Sequence, residues 1–203
     1  MISMSDPVEF YFEFSSPYGY LASHKIDQIA ADNGRICIWK PFLLGEVYKT
    51  TGMAPLVHQP LRGEYALNDW LRMARYMDVA WKMPKTFPVN TIAAARAFYW
   101  LNDRDPTQAR LFARSVYHGI FGEGQDLSKP EAVADIAASL FVDKDEVLAA
   151  LQEQEVKDKL REETDKAIEK GVFGSPYFII DREGFWGSDR LWMVKKWLQS
   201  GGW

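Results

Sequence analysis

EFYFEFSSPYGYLASHKIDQIA (residues 9–30) changes character at Ser15. From Val8 to Phe14 the chain is rich in aromatic side chains, with acids two-periodic at Glu9 and Glu13, which predicts a strand. Two serines and Pro17 interrupt it. Proline suits the first turn of a helix, where its missing N–H costs nothing. Beyond it Tyr20, His24, Asp27 and Ala31 lie on one side of a helical projection, and Leu21, Ile26, Ile29 and Ala30 on others. This predicts a well-buried helix stopped at Asn33-Gly34. RICIWKPF (residues 35–42) then predicts a second strand, ended by Pro41. Strand, helix and strand in so short a span make a βαβ unit with parallel strands and a right-handed crossover.

The middle of the chain is helical in pattern. Apolar periodicity predicts helices over residues 64–79, 91–103, 106–122, 129–140 and 144–171, with glycines and prolines between them. Strands return in SPYFIID (residues 175–181) and GFWG (residues 184–187), a hairpin with Arg182 and Glu183 at its turn. SDRLWMVKKWLQS (residues 188–200) closes the chain as a helix, with Ser188 or Asp189 placed to cap it. The first and last pieces must share one sheet. The division predicted is a discontinuous α/β domain, residues 1–44 and 171–203, with an inserted all-helical domain over residues 45–170.

Composition excludes several classes. The chain has 203 residues, 47% hydrophobic and 26% charged, which is ample for a packed core and gives no sign of disorder. Its formal net charge of -4 argues against nucleic acid as a partner. MISMSDPVEF lacks the basic stretch and apolar run of a secretory signal, and no segment is long enough to span a membrane. A soluble cytoplasmic protein is the expectation. The lone cysteine, Cys37, excludes an internal disulfide and any two-cysteine redox motif. Between Ile36 and Ile38 it reads as a small buried apolar residue. His24, His58 and His118 are too scattered for a metal site, so no metal is expected.

Three turns could carry chemistry. In an open α/β sheet ligands gather at the carboxyl ends of strands and the N-termini of the helices that follow. Ser15 or Ser16 there is either an N-cap or a hydroxyl placed to favour an anion such as a thiolate. Ser175-Pro176, ahead of an apolar strand, is either an ordinary trans strand start or a cis turn. If cis, the Ser175 backbone N–H and C=O face an extended peptide. Ser188 and Asp189 either cap the last helix or receive the charged end of a ligand.

Taken in order, FYFEFSSPYGYLA, FLLGEVYKTTG, FPVNT, VFGSPYFII and FWGSDRL resemble the 2-hydroxychromene-2-carboxylate isomerases and, more broadly, the kappa-class glutathione transferases. Both belong to the DsbA-like branch of the thioredoxin fold, and the resemblance covers nearly the whole chain. It implies a thioredoxin-like α/β fold with a large helical insertion, and glutathione as cofactor. It implies that Ser16 contacts the glutathione sulfur, that the Ser175 backbone pairs with the cysteinyl part, and that Trp186, Gly187, Ser188 and Asp189 receive the γ-glutamyl end. Asn90 and Lys49 match positions near a small aromatic carboxylate substrate. The family's pattern also allows a homodimer. One departure stands out: many relatives carry Gly-Asn where this chain has Gly52-Met53, and methionine donates no hydrogen bond.

The activity implied is isomerisation of 2-hydroxychromene-2-carboxylate, or of a related aromatic intermediate, to the ring-opened trans-benzylidenepyruvate by reversible thiolate addition. Ser16 then stabilises the thiolate and no histidine base is required. The alternatives are a kappa-class transferase that conjugates glutathione to electrophiles, and a non-catalytic glutathione or peptide binder. A disulfide oxidoreductase is contradicted, because Ser16 and Gly19 stand where it needs cysteines.

Overall fold

The computed structural model of the protein describes residues 6–203. Residues 1–5, part of the stretch read above for a signal, lie outside the described residues. No helix among the described residues is long and apolar enough to cross a membrane.

The chain starts with β1 (Val8–Phe12), α1 (Pro17–Ser23), α2 (Ile26–Ala31) and β2 (Cys37–Pro41). It continues through α3 (Leu44–Thr51), α4 (Arg62–Met77), α5 (Ile92–Asn102) and α6 (Pro106–Tyr117). Then come α7 (Pro130–Ser139), α8 (Lys144–Ala150) and α9 (Gln154–Glu169), followed by β3 (Tyr177–Ile180), β4 (Glu183–Trp186) and α10 (Leu191–Ser200). The sheet order is β2-β1-β3-β4, with β1 parallel to β2 and antiparallel to β3. The first and last pieces of the chain therefore share one sheet, as the sequence requires.

β1 is central and covered on both faces. Phe10 and Phe12 face the main core with Phe178, Ile180 and Trp39, while Tyr11 faces a smaller cluster with Phe42, Val47, Ala167 and Val172. Phe12 packs against Phe98 of α5 (centroids 6.0 Å apart) and Tyr117 of α6 (5.6 Å), so the helical block and the sheet share one core. Truncating such a buried ring costs about 3–5 kcal/mol. Cys37 is buried as expected, and burial pushes its thiol pKa up.

Several boundaries differ from the sequence reading. The first predicted helix breaks in two at His24-Lys25. There the Ser23 hydroxyl donates back to the Tyr20 carbonyl (2.6 Å) and the Lys25 N–H to the Ala22 carbonyl (3.0 Å). These i→i−3 bonds tighten the turn and end the regular ladder. The long helix expected over residues 144–171 likewise breaks between α8 and α9, and α6 ends in a π-turn, His118–Gly122. α3 had no counterpart in the sequence reading. The hairpin turns at Asp181-Arg182 rather than Arg182-Glu183, because Glu183 pairs with Ile180. Both turn residues have positive φ, 51° and 74°, as a two-residue hairpin turn demands. The Asp181 carboxylate accepts two hydrogen bonds from the Arg35 guanidinium (2.9 and 3.1 Å), which holds the turn without glycine.

Candidate functional site

The two serines after β1 divide their work. Ser16 is the N-cap of α1: its Oγ accepts from the Gly19 N–H (3.0 Å), a bond of the kind that contributes about 1 kcal/mol. The same hydroxyl donates to the Ser175 carbonyl (3.0 Å). Ser15 instead accepts from the Val89 N–H (2.9 Å), tying the FPVNT loop to the turn. Ser16 is only 7% exposed, and its partners are a carbonyl and an amide, with no carboxylate or imidazole among them. It therefore has no base to activate it as a nucleophile. What it offers is a hydroxyl dipole at the positive end of a helix.

Ser175-Pro176 is cis, as is Phe87-Pro88. The Ser175 hydroxyl accepts from the Glu13 N–H (2.9 Å) and the Pro176 carbonyl from the Gly187 N–H (3.0 Å), so the second and third turns are bonded to each other and to β1. Among the described residues nothing accepts from the Ser175 N–H. Gly174 has no room for a side chain. A Cβ there would lie 2.2 Å from Nε1 of Trp186, whose half-exposed ring packs on Phe173 with centroids 4.9 Å apart. At Gly187, with φ of 110°, a Cβ would lie 2.4 Å from the Asp189 carboxylate, which folds back over this residue.

Ser188 is buried and Asp189 exposed, but neither caps α10. Ser188–Arg190 form a single 3-10 turn first, and α10 starts after Arg190 without a side-chain cap. Asp189 pairs with Arg190 (2.6 Å). Asn90 follows the residue bound by Ser15, and its side-chain amide oxygen Oδ1 accepts from the Ile92 N–H (3.2 Å) at the start of α5. Lys49 is not brought to the Ser16 turn by any contact. It is exposed and pairs with Glu46 of its own helix (2.7 Å). Met53, 38% exposed, lies just beyond the left-handed Gly52 that ends α3.

The sequence reading missed Glu13. Its carboxylate accepts from the Ser15 N–H (3.3 Å), the Leu44 N–H (3.3 Å) and the Thr91 hydroxyl. Its carbonyl accepts from the Tyr117 hydroxyl (2.9 Å) and the Ser16 N–H (2.9 Å). One residue thus joins the serine turn to the starts of α3 and α5. Burial pushes its carboxyl pKa up, and the hydrogen bonds it accepts offset part of that. Tyr117 and Tyr48, both near this carboxylate, are also pushed up, by burial first and then by its charge. Tyr18, which donates to Asp69 on α4 (2.7 Å), rises for the same kind of reason. The sequence carries one signal for Glu13: an acid between Phe12 and Phe14, at the end of an aromatic run, has apolar neighbours on both sides and must find its partners inside the protein.

A family model for the DSBA-like thioredoxin domain matches residues 7–199. The chain belongs to the DsbA-like thioredoxin family. This DsbA-like chain is 27% identical over 197 residues to a protein of Sphingobium xenophagum named 2-hydroxychromene-2-carboxylate isomerase, covering 96% of this chain and 99% of that one. It is 30% identical over 204 residues to a Caenorhabditis elegans protein named glutathione s-transferase kappa 2, covering 94% and 91%. A solved structure of a 2-hydroxychromene-2-carboxylate isomerase superposes with a TM-score of 0.86 at 26% identity, covering 96% of this chain and 95% of that one. The resemblance read from the five sequence segments is therefore borne out at the level of fold and family.

Proposed function

We propose that the protein is a glutathione-dependent isomerase that converts 2-hydroxychromene-2-carboxylate, or a related aromatic intermediate, to its ring-opened trans product. The observation that carries this reading is the Ser16 hydroxyl, buried at the N-cap of α1 and donating to the Ser175 carbonyl where the three turns meet. The names of relatives at 26–27% identity over nearly the full chain support the same reaction.

The residues present fit glutathione. The Ser175 N–H is unpartnered among the described residues and its carbonyl is held only by a movable hydroxyl, so this backbone can take up an extended peptide. Ser16, Ser175, Trp186, Gly187, Ser188 and Asp189 would hold it, with Asp189 and the amides after Gly187 at its charged end. When bound, glutathione would supply a thiol nucleophile for an electron-poor double bond, recovered unconsumed at the end of the reaction. The role of Ser16 follows from its one proton. Once a ligand amide takes the Ser175 carbonyl, the hydroxyl is released and can donate to an anion at the helix N-terminus. A hydrogen bond to a charged group contributes about 1.5–3 kcal/mol, enough to lower a thiol pKa by roughly one to two units. Asn90 and Lys49 are proposed as substrate residues, Asn90 on the loop fastened to Ser15 and Lys49 at the greater remove described above.

The 30% identity to a kappa-class transferase supports a second reading, conjugation at the same site. Incubation with glutathione and the chromene carboxylate separates the two. Ring-opened product with free thiol unchanged supports the isomerase, and thiol lost in proportion to product supports the transferase. Neither change would sink both.

A further inference from the structure

Between α3, α5 and α9 lies a cavity of about 610 Å³ that contains none of the residues of the three turns. Arg96 of α5 reaches into it half-buried, with its Nε–H fully buried and without a hydrogen-bond acceptor. No ion pair to Arg96 is present among the described residues. Burial lowers the guanidinium pKa, and no carboxylate offsets that effect. A buried guanidinium N–H left without an acceptor is costly, and arginines in such places ordinarily meet a carboxylate or a phosphate. The neighbouring charges do not meet this need. Lys49 is held by Glu46 (2.7 Å) and Arg161 by Asp158 (2.8 Å). Lys157 also lines the cavity and has no ion-pair partner among the described residues. Asp165, the cavity's remaining acid, makes no ion pair with Arg96. Leu43, Leu160 and Ile168 complete the wall with apolar surface.

We propose that this cavity binds a small molecule bearing an oxyanion, a carboxylate or a phosphate, with the Arg96 guanidinium as its fork and Lys157 as a second cation. The planar fork matches either group bidentately, and the apolar wall suits an organic body attached to it. The cavity holds no residue of the three turns; of the residues proposed above for the substrate it shares only Lys49, which Glu46 holds.

The test follows the arginine Nε–Hε signals of 15N-labelled protein by NMR, titrating with sodium benzoate and with sodium phosphate at constant ionic strength. The Arg96 signal is identified by its loss in Arg96→Lys. Should that variant not fold, nuclear Overhauser contacts to the Leu160 methyls identify it instead. The expected result is a saturable shift of this signal at concentrations on the order of 10 mM or below, weakened roughly five-fold in Lys157→Ala. Saturation by benzoate alone identifies a carboxylate ligand, by phosphate alone a phosphate, and by both an oxyanion site without preference. A shift that fails to saturate with either, or that sodium chloride reproduces, overturns the proposal, as does an unchanged affinity in Lys157→Ala.

Discussion

Gly19 stands at the second of the two positions where a disulfide oxidoreductase carries cysteine, and the structure shows why no side chain fits there. A Cβ would lie 2.4 Å from the Tyr117 hydroxyl, 3.1 Å from the Ser175 hydroxyl and 3.2 Å from the Ser16 Cβ. Tyr117 cannot swing aside. It is fully buried, donates to the Glu13 carbonyl, and is packed by Phe12, Phe14 and Tyr20 at 5.6, 5.3 and 6.0 Å. Overpacking of this kind costs about 1–3 kcal/mol. Alanine recovers about 0.5–1 kcal/mol of helix preference over glycine, so Gly19→Ala should destabilise by about 1–2 kcal/mol net. For a chain of this length that is roughly 2–8 °C in Tm. Tyr117→Phe alone should cost about 1 kcal/mol, because the Glu13 carbonyl keeps its bond from the Ser16 N–H. With the hydroxyl gone the severe clash is gone, leaving the closer-than-usual contacts at 3.1 and 3.2 Å, and Gly19→Ala added to Tyr117→Phe should be close to neutral. Urea unfolding of the four proteins gives the cycle, with an expected coupling of about 1–2 kcal/mol. Effects additive to within about 0.5 kcal/mol would refute the steric account.

Glu13 carries a pH signature. Burial raises its carboxyl pKa in the fold, so its contribution is fully present below the unfolded pKa and is lost as pH rises through the folded one. Glu13→Gln, which cannot ionise, should therefore gain on the wild type in urea midpoint as pH rises above about 4; a wild type that gains instead would mean a depressed pKa. Gly174→Ala should displace Trp186 from its seat and weaken glutathione binding in calorimetry. Because the displaced ring is half-exposed, stability should move by less than about 1 kcal/mol, and unchanged affinity would remove Trp186 from the proposed site.

The elements that position the site were legible where local chemistry and tertiary context agree. Pro17 occupies the first turn of α1, Gly34 takes a left-handed φ of 69°, and β1 and β2 pair in parallel from Val8↔Cys37 to Phe12↔Pro41. What failed was set by partners distant in the chain. Asp181 looked like the end of a strand, but Arg35, 146 residues away, fixes it in the turn. Glu13 counts in the sequence only as one of two alternating acids of a strand, and the fold reveals Leu44 and Thr91 beside it. Arg96 sits in an alanine-rich helix pattern that gives no hint of its missing partner. The three turns were readable as a set, yet the detail that decides how they interact was not: Ser16 spends its one proton on the Ser175 carbonyl.

That proton is the basis of the most direct test. Ultraviolet difference spectra near 240 nm, recorded across pH with saturating glutathione, report the thiolate. A free thiol of this type titrates near 8.5, so in the wild type the account predicts an apparent pKa of roughly 6.5–7.5. In Ser16→Ala it should return most of the way to the free value. An unshifted thiol in the wild type, or the same shift in both proteins, would contradict the assignment of Ser16 as the group that stabilises the sulfur.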